Sequence, residues 1–204
     1  MVFNLINLCM FNVFMITIGD KNKFAFEIAE QPLGNPTTDR EIFNQLRQVD
    51  IYIAGRSVCC DDNHVYVSQF VNSLWHTAEY LKQKLDYYVE EDFFFGKSIE
   101  EAYKLIQQLR DLELKIISKH WVDNFLDWGP TTDNIICLLF PLHGKLYMIF
   151  EFCRDTHKPT KEIGKVFAVE IFPYEIITVC ESAIGVLDIE KSFLGDKKNK
   201  RFIK

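Results

Sequence analysis

The chain reads as an α+β protein, an antiparallel or mixed sheet of several strands packed against about three to four helices. Two patterns predict this. Paired apolar runs occur at both ends of the chain, around Phe24, Phe26 and Ile28 and again from Ile135 to Phe150, with the period-2 spacing and turn punctuation of hairpins. Between and after them lie segments whose apolar residues recur at helical spacing. Strands and helices do not alternate regularly, which argues against a parallel α/β sheet.

The first hairpin begins at Met15. Ile16 and Ile18 alternate on the way in, Gly19 to Asn22 supply turn chemistry, and Phe24, Phe26 and Ile28 alternate on the way out with Ala25 and Glu27 opposite. Gln31 to Pro36 is a loop, because two prolines and a glycine remove donors and restrict φ. From Thr38 to Val49 the signals conflict. Thr38 and Glu41 form a capping box before Ile42, Phe43, Leu46 and Val49 at helical spacing, yet Val49 to Ile53 alternates as a strand; only the strand end is expected. Ser57 to His64 reads as a polar loop and Val65 to Val67 as a short strand.

The longest helical pattern follows, with Ser68 as N-cap and Phe70, Val71, Leu74, Trp75, Ala78, Leu81, Leu85, Tyr88 and Val89 on one face. A second helix opens with the capping box Ser98 to Glu101 and buries Ile99, Ala102, Tyr103, Ile106 and Leu109. Leu112 to Ile117 and His120 to Gly129 remain open: Trp121, Phe125 and Trp128 fit a helix, while Gly129-Pro130 breaks one. Ile135 to Phe140 and Lys145 to Phe150 then read as strands flanking a four-residue loop, Pro141 to Gly144. Lys165 to Phe172 is a further strand, and Pro173 opens a terminal helix through Ile176, Ile177, Cys180, Ala183, Ile184 and Leu187.

A length of 204 residues with 48% hydrophobic content and 18 Phe suits one core. The expected organisation is an extension over 1–14, one globular domain over 15–190, and a basic tail over 191–204. Met1 to Phe14 is apolar but lacks a positive leading region and a small-residue cleavage site, and Asn4, Asn7 and Asn12 interrupt it. It is also shorter than the about 20 apolar residues a bilayer span needs.

Charge is divided unevenly along the chain. Met1 to Glu190 holds 17 Lys/Arg against 28 Asp/Glu, a net of −11, and Lys191 to Lys204 holds six against one, a net of +5. An anionic body repels nucleic acid and anionic lipid and favours a cationic partner. Six cysteines are scattered without the paired spacing of a zinc ribbon or disulfide scaffold, which suits reduced thiols in a cytoplasmic setting.

No catalytic or metal-binding constellation emerges. Cys59 to His64 gathers soft and hard ligands, but adjacent side chains diverge and a metal needs convergent ones. Cys60 or Cys153 with a histidine could serve a small thiol-dependent hydrolase, which requires an activating environment that sequence alone does not display. Carboxylates such as Glu100 and Glu101 are explained by capping and the helix dipole, and Gly129-Pro130 lacks the spacing of a phosphate loop. No cofactor is therefore expected, and no catalytic residue is assigned.

Three segments carry a family likeness. Ile16 to Glu27, the strand ending Ile51-Tyr-Ile-Ala-Gly55 ahead of a long helix, and the strand-then-helix Phe167 to Ile177 resemble the bacterial immunity 42 family. That resemblance, which runs from Met15 to about Leu187, implies a cytoplasmic antidote that binds a cognate toxin domain, such as a nuclease, and blocks it without chemistry of its own. A partner of that kind would be a basic protein domain, neither nucleic acid nor membrane. The expected contact residues are the loop acids Asp61 and Asp62 with Glu90, Glu91 and Asp92, where binding residues tend to gather; Asp123, Asp127, Trp128 and Asp133 are the second choice. A structural subunit that buries Phe93 to Phe95 in an assembly is the other alternative.

Overall fold

The computed structural model describes residues 14–30, 46–59, 62–84, 88, 92–111, 125–154 and 162–199. Their order is β1 (Met15–Asp20), β2 (Phe24–Ala29), β3 (Leu46–Ile53), β4 (Arg56–Ser57), β5 (His64–Tyr66), α1 (Val67–Gln83), a short turn of 3-10 helix (Asp92–Phe94), α2 (Ile99–Asp111), a second (Pro130–Thr132), β6 (Ile135–Leu142), β7 (Lys145–Phe152), β8 (Val166–Glu170) and α3 (Pro173–Asn199). The fold is α+β. One sheet runs β1-β2-β3-β4 with β5 also on β3, and the other runs β6-β7-β8. Every strand pair in both is antiparallel.

The register of the first sheet explains its two faces. Glu27 stands opposite Thr17 on one side and opposite Asp50 on the other, so these three share the polar face. Phe24, Phe26 and Ile28 lie on the reverse face with Val49, Ile51 and Ile53, and all six are buried. Ala25 and Ala29 are buried as well, because they are too short to emerge between taller neighbours. Arg47 occupies the core-facing register of β3 at 2% exposure and donates from Nη1 to the Ala29 carbonyl at 2.9 Å; burial lowers its guanidinium pKa.

The second sheet is covered on both faces, which is why β6 is a continuous apolar run rather than an alternating one. Cys137, Leu139, Leu146, Met148 and Phe150 join the large core with the first sheet, α1 and α3. Leu138, Phe140, Leu142 and Ile149 face the other way, against Ala102, Tyr103 and Ile106 of α2 and against Phe94. Pro141 sits in β6, at the edge of this sheet, where a strand tolerates the missing donor.

Several expectations need correction. The helix α1 starts at Val67 with Tyr66 at its N-cap and no side-chain cap bond, so Ser68 is not the cap; β5, paired to β3, runs straight into the helix and sets its start by tertiary contact. The strand Val65–Val67 is accordingly His64–Tyr66. The helix stops at Gln83, where Lys84 is extended and its N–H reaches the Tyr80 carbonyl at 3.1 Å. Tyr88 lies in a turn beyond it, and Leu85 and Val89 lie outside the described residues. Trp75 is not in the buried stripe but 51% exposed. Leu46 to Val49 is strand, not helix, whereas Thr38 to Phe43 falls outside the described residues.

The hairpin turns are tighter than expected. Gly19 belongs to β1 and the turn is Lys21 to Lys23. The β6–β7 loop has two residues, His143 and Gly144, with φ of 52° and 72°, the double positive φ of a type I′ turn whose twist matches the strands it joins. The strand expected over Lys165 to Phe172 is Val166–Glu170. No helix covers Phe125 to Gly129, and Leu112 to Trp121 lies outside the described residues. The capping box of α2 forms as expected: the Glu101 carboxylate accepts from the Ser98 N–H at 2.8 Å, and the Glu101 N–H reaches Ser98 Oγ at 3.3 Å. The helix α3 begins at Pro173 and continues to Asn199, so the backbone of the basic segment continues the helix there.

Candidate functional site

The turn at Phe125 and Leu126 shapes a surface groove. Ser73, Thr77 and Tyr80 recur along one flank of α1 with His76 beside them, and Phe125 to Trp128 lies across from them. Together these residues enclose a groove of about 320 Å³. The Phe125 N–H is fixed to the Cys137 carbonyl at 2.9 Å. Leu126 then adopts φ of 71°, a left-handed conformation that costs a branched residue on the order of 1 kcal/mol. This reversal leaves Asp127 exposed while Phe125, Leu126 and Trp128 are all buried.

Trp128 is held from several directions. Its ring lies 5.7 Å from Phe70, 5.8 Å from Phe26 and 6.4 Å from Phe24, and its indole N–H donates to Thr77 Oγ1 at 3.2 Å. Its backbone N–H donates to Thr132 Oγ1 at 3.1 Å. The floor of the groove is therefore part of the core. Its rim is polar and aromatic, with Tyr80 47% exposed and His76 exposed.

A second polar assembly covers the outer face of the first sheet. Lys21 pairs with Glu27 and lies 4.3 Å from the centre of the Tyr52 ring. The Tyr52 hydroxyl donates to Glu27 at 2.9 Å, and Thr17 adds a bond at 3.2 Å. These donors, Lys21 first, hold the Glu27 carboxyl below its usual range. Its cross-strand neighbour Asp50 moves upward instead, chiefly by burial and further by the Glu27 charge, although Asn63 Nδ2 donates to it at 3.2 Å. The sequence offers an alternating strand here, with no signal that the two acids face each other until the register is known.

Of the expected contact residues, Asp62, Asp92, Asp127, Trp128 and Asp133 are among the described ones. Asp62 lies on the loop into β5, its N–H bonded to the Cys59 carbonyl at 3.0 Å. Asp92 is exposed at the start of the turn whose Phe94 packs on Phe140 beside the second sheet. Asp61, Glu90, Glu91 and Asp123 lie outside the described residues. Asp127 and Trp128 meet at the groove, but Trp128 is 6% exposed. Asp133 is paired with Arg154 at 2.6 Å. His76 and Tyr80, which no sequence pattern singles out as contact residues, complete the rim. Of the aromatic trio, Phe94 is buried and Phe95 is 88% exposed; the side chain of Phe93 lies outside the description.

Thiol chemistry finds no activated group among the described residues. Cys59, Cys137 and Cys180 are buried, and burial pushes the Cys137 and Cys180 thiols upward. Cys153 is exposed at the end of β7, yet desolvation raises its pKa too, against a smaller lowering by Arg154. A thiolate nucleophile needs the opposite shift. No group of three or more His, Cys, Asp or Glu side chains among the described residues is placed to hold a metal ion, and none of their helices is long and apolar enough to cross a membrane.

No protein-family model, curated protein or solved structure matches this chain.

Proposed function

We propose that the chain is a protein-binding module of immunity type, which neutralises a basic bacterial toxin domain, a nuclease being the best fit, by covering its active site or substrate surface. The observation that carries this reading is the groove at Asp127: an exposed carboxylate beside the half-exposed Tyr80, over an apolar floor, on a body of net charge −11. Interfaces are anchored by aromatic residues in well-packed surroundings, while complementary charge speeds encounter. The likeness of Ile16 to Glu27 and of Phe167 to Ile177 to immunity proteins supports the same reading. The raised Cys153 thiol speaks against Cys153 as the nucleophile of a thiol hydrolase, and Cys60, the other candidate, lies outside the described residues.

The test is co-expression with a toxin encoded by a gene neighbouring this chain's, where the immunity reading expects one, scored by survival, together with stopped-flow association of the purified pair. Survival should depend on the chain, and the on-rate should fall between low and high salt, because the Debye length shortens from about 30 Å at 0.01 M to about 3 Å at 1 M. Absence of protection and of binding would remove the proposal; a salt-independent on-rate would remove its electrostatic half.

A further inference from the structure

We infer that the groove between α1 and Phe125 to Trp128 seats one arginine side chain of the partner protein; this rests on the protein-binding reading and deepens it. The chemistry of the lining selects that occupant. Asp127 is exposed and has no ion-pair partner among the described residues, in contrast to Asp133, which Arg154 holds at 2.6 Å. Tyr80 offers a half-exposed ring at the rim, and a guanidinium stacks on such a face while its planar fork pairs with a carboxylate. The aliphatic stem of arginine suits the apolar floor of Phe125, Leu126 and Trp128. A volume of about 320 Å³ is near the lower end of small-molecule pockets, which run from roughly 300 to 1,000 Å³, and matches one long side chain better than a cofactor. His76 is the other titratable group on the rim, so a fixed cation at that position would oppose the occupant.

The experiment titrates the full, ¹⁵N-labelled chain with the peptide acetyl-Gly-Arg-Gly-amide and follows the Trp128 indole N–H, assigned with the Trp128→Phe variant. That N–H lies on the groove wall through its bond to Thr77. A saturable shift is expected with the arginine peptide and none with its neutral citrulline analogue. Asp127→Asn and Tyr80→Ala, both at exposed positions, should each weaken the interaction about 5-fold or more, in line with the loss of a charge pair or a cation–π contact. His76→Lys should weaken it as well. An absent shift, an equal response to citrulline, or undiminished binding by Asp127→Asn would overturn the assignment. Survival against the toxin is scored separately with the same variants: full protection by a chain that ignores the peptide removes the groove but not the immunity reading, and peptide binding without protection does the reverse.

Discussion

Replacing Trp128 by alanine and by phenylalanine should separate its structural weight from any part in recognition. The indole is 6% exposed and its ring approaches Phe24, Phe26 and Phe70 at 5.7 to 6.4 Å. Truncation to alanine opens a cavity where the first sheet, α1 and the groove floor meet, and large-to-small aromatic changes of this kind cost about 3–5 kcal/mol. A domain of this size has roughly 5–15 kcal/mol of stability in total, so the variant should remain folded with little reserve. Phenylalanine keeps most of the apolar volume and loses chiefly the N–H bond to Thr77 at 3.2 Å, for which about 0.5–1.5 kcal/mol is the expected net loss. Thr77 is half-buried at the groove rim, so water can replace the lost donor and the smaller figure applies. Urea unfolding followed by far-UV circular dichroism measures both. With a slope of about 2 kcal/mol/M, the alanine midpoint should fall by roughly 1.5 to 2.5 M, and the phenylalanine midpoint by only about 0.3 M. A loss under about 1 kcal/mol for Trp128→Ala would refute the packing described here, since no buried indole among three rings is that dispensable.

Asp50→Asn should stabilise the protein at neutral pH by a few tenths to about 1 kcal/mol, because it removes a desolvated charge facing Glu27 while the bond from Asn63 can persist. With a folded pKa above its ordinary value, Asp50 opposes folding once pH exceeds that range, so the gain seen in thermal melts should vanish as pH falls below it. Glu27 has the opposite sign: its lowered pKa means that its contribution is present above the ordinary carboxylate range and disappears as pH falls through its folded value, and Glu27→Gln should flatten the acid limb of the stability profile. Gly19→Ala should cost at least about 2 kcal/mol by chemical denaturation, since φ is +93° and an added Cβ would lie 2.8 Å from Val179 and closer still to the Phe24 carbonyl. Ser98→Ala should cost about 1 kcal/mol through loss of the α2 cap, read as a lower urea midpoint. Neutralising Asp61, Asp62, Glu90, Glu91 and Asp92 together should weaken toxin binding by about 1–3 kcal/mol in calorimetry if those loops touch the partner; unchanged affinity places the interface elsewhere.

The sequence by itself determined the elements whose signals are local. Ser98 and Glu101 are three residues apart, so their reciprocal bonds need nothing beyond the helix they start. Phe24, Phe26 and Ile28 alternate as any half-buried strand does, and Pro173 opens α3 because its fixed φ suits a first turn. The α+β class followed from the sum of such signals. Tertiary structure decided where neighbours from distant segments set the outcome. Periodicity placed Trp75 in the apolar stripe of α1, but the width of a stripe depends on what packs against it, and Trp75 is left half-exposed with its ring 4.9 Å from His76. Trp128, which fits a helical spacing with Trp121 and Phe125 that Gly129-Pro130 contradicts, is drawn into the core without a helix by Phe24, Phe26 and Phe70, which lie far from it in the chain. Glu27 and Asp50 face each other only because β2 and β3 pair in that register, and a slip of β3 by one residue would turn Asp50 to the core face while Glu27 stayed on the polar one. The groove at Asp127 belongs to the same class, since its two walls are separated by some fifty residues and come together only when the core beneath them closes.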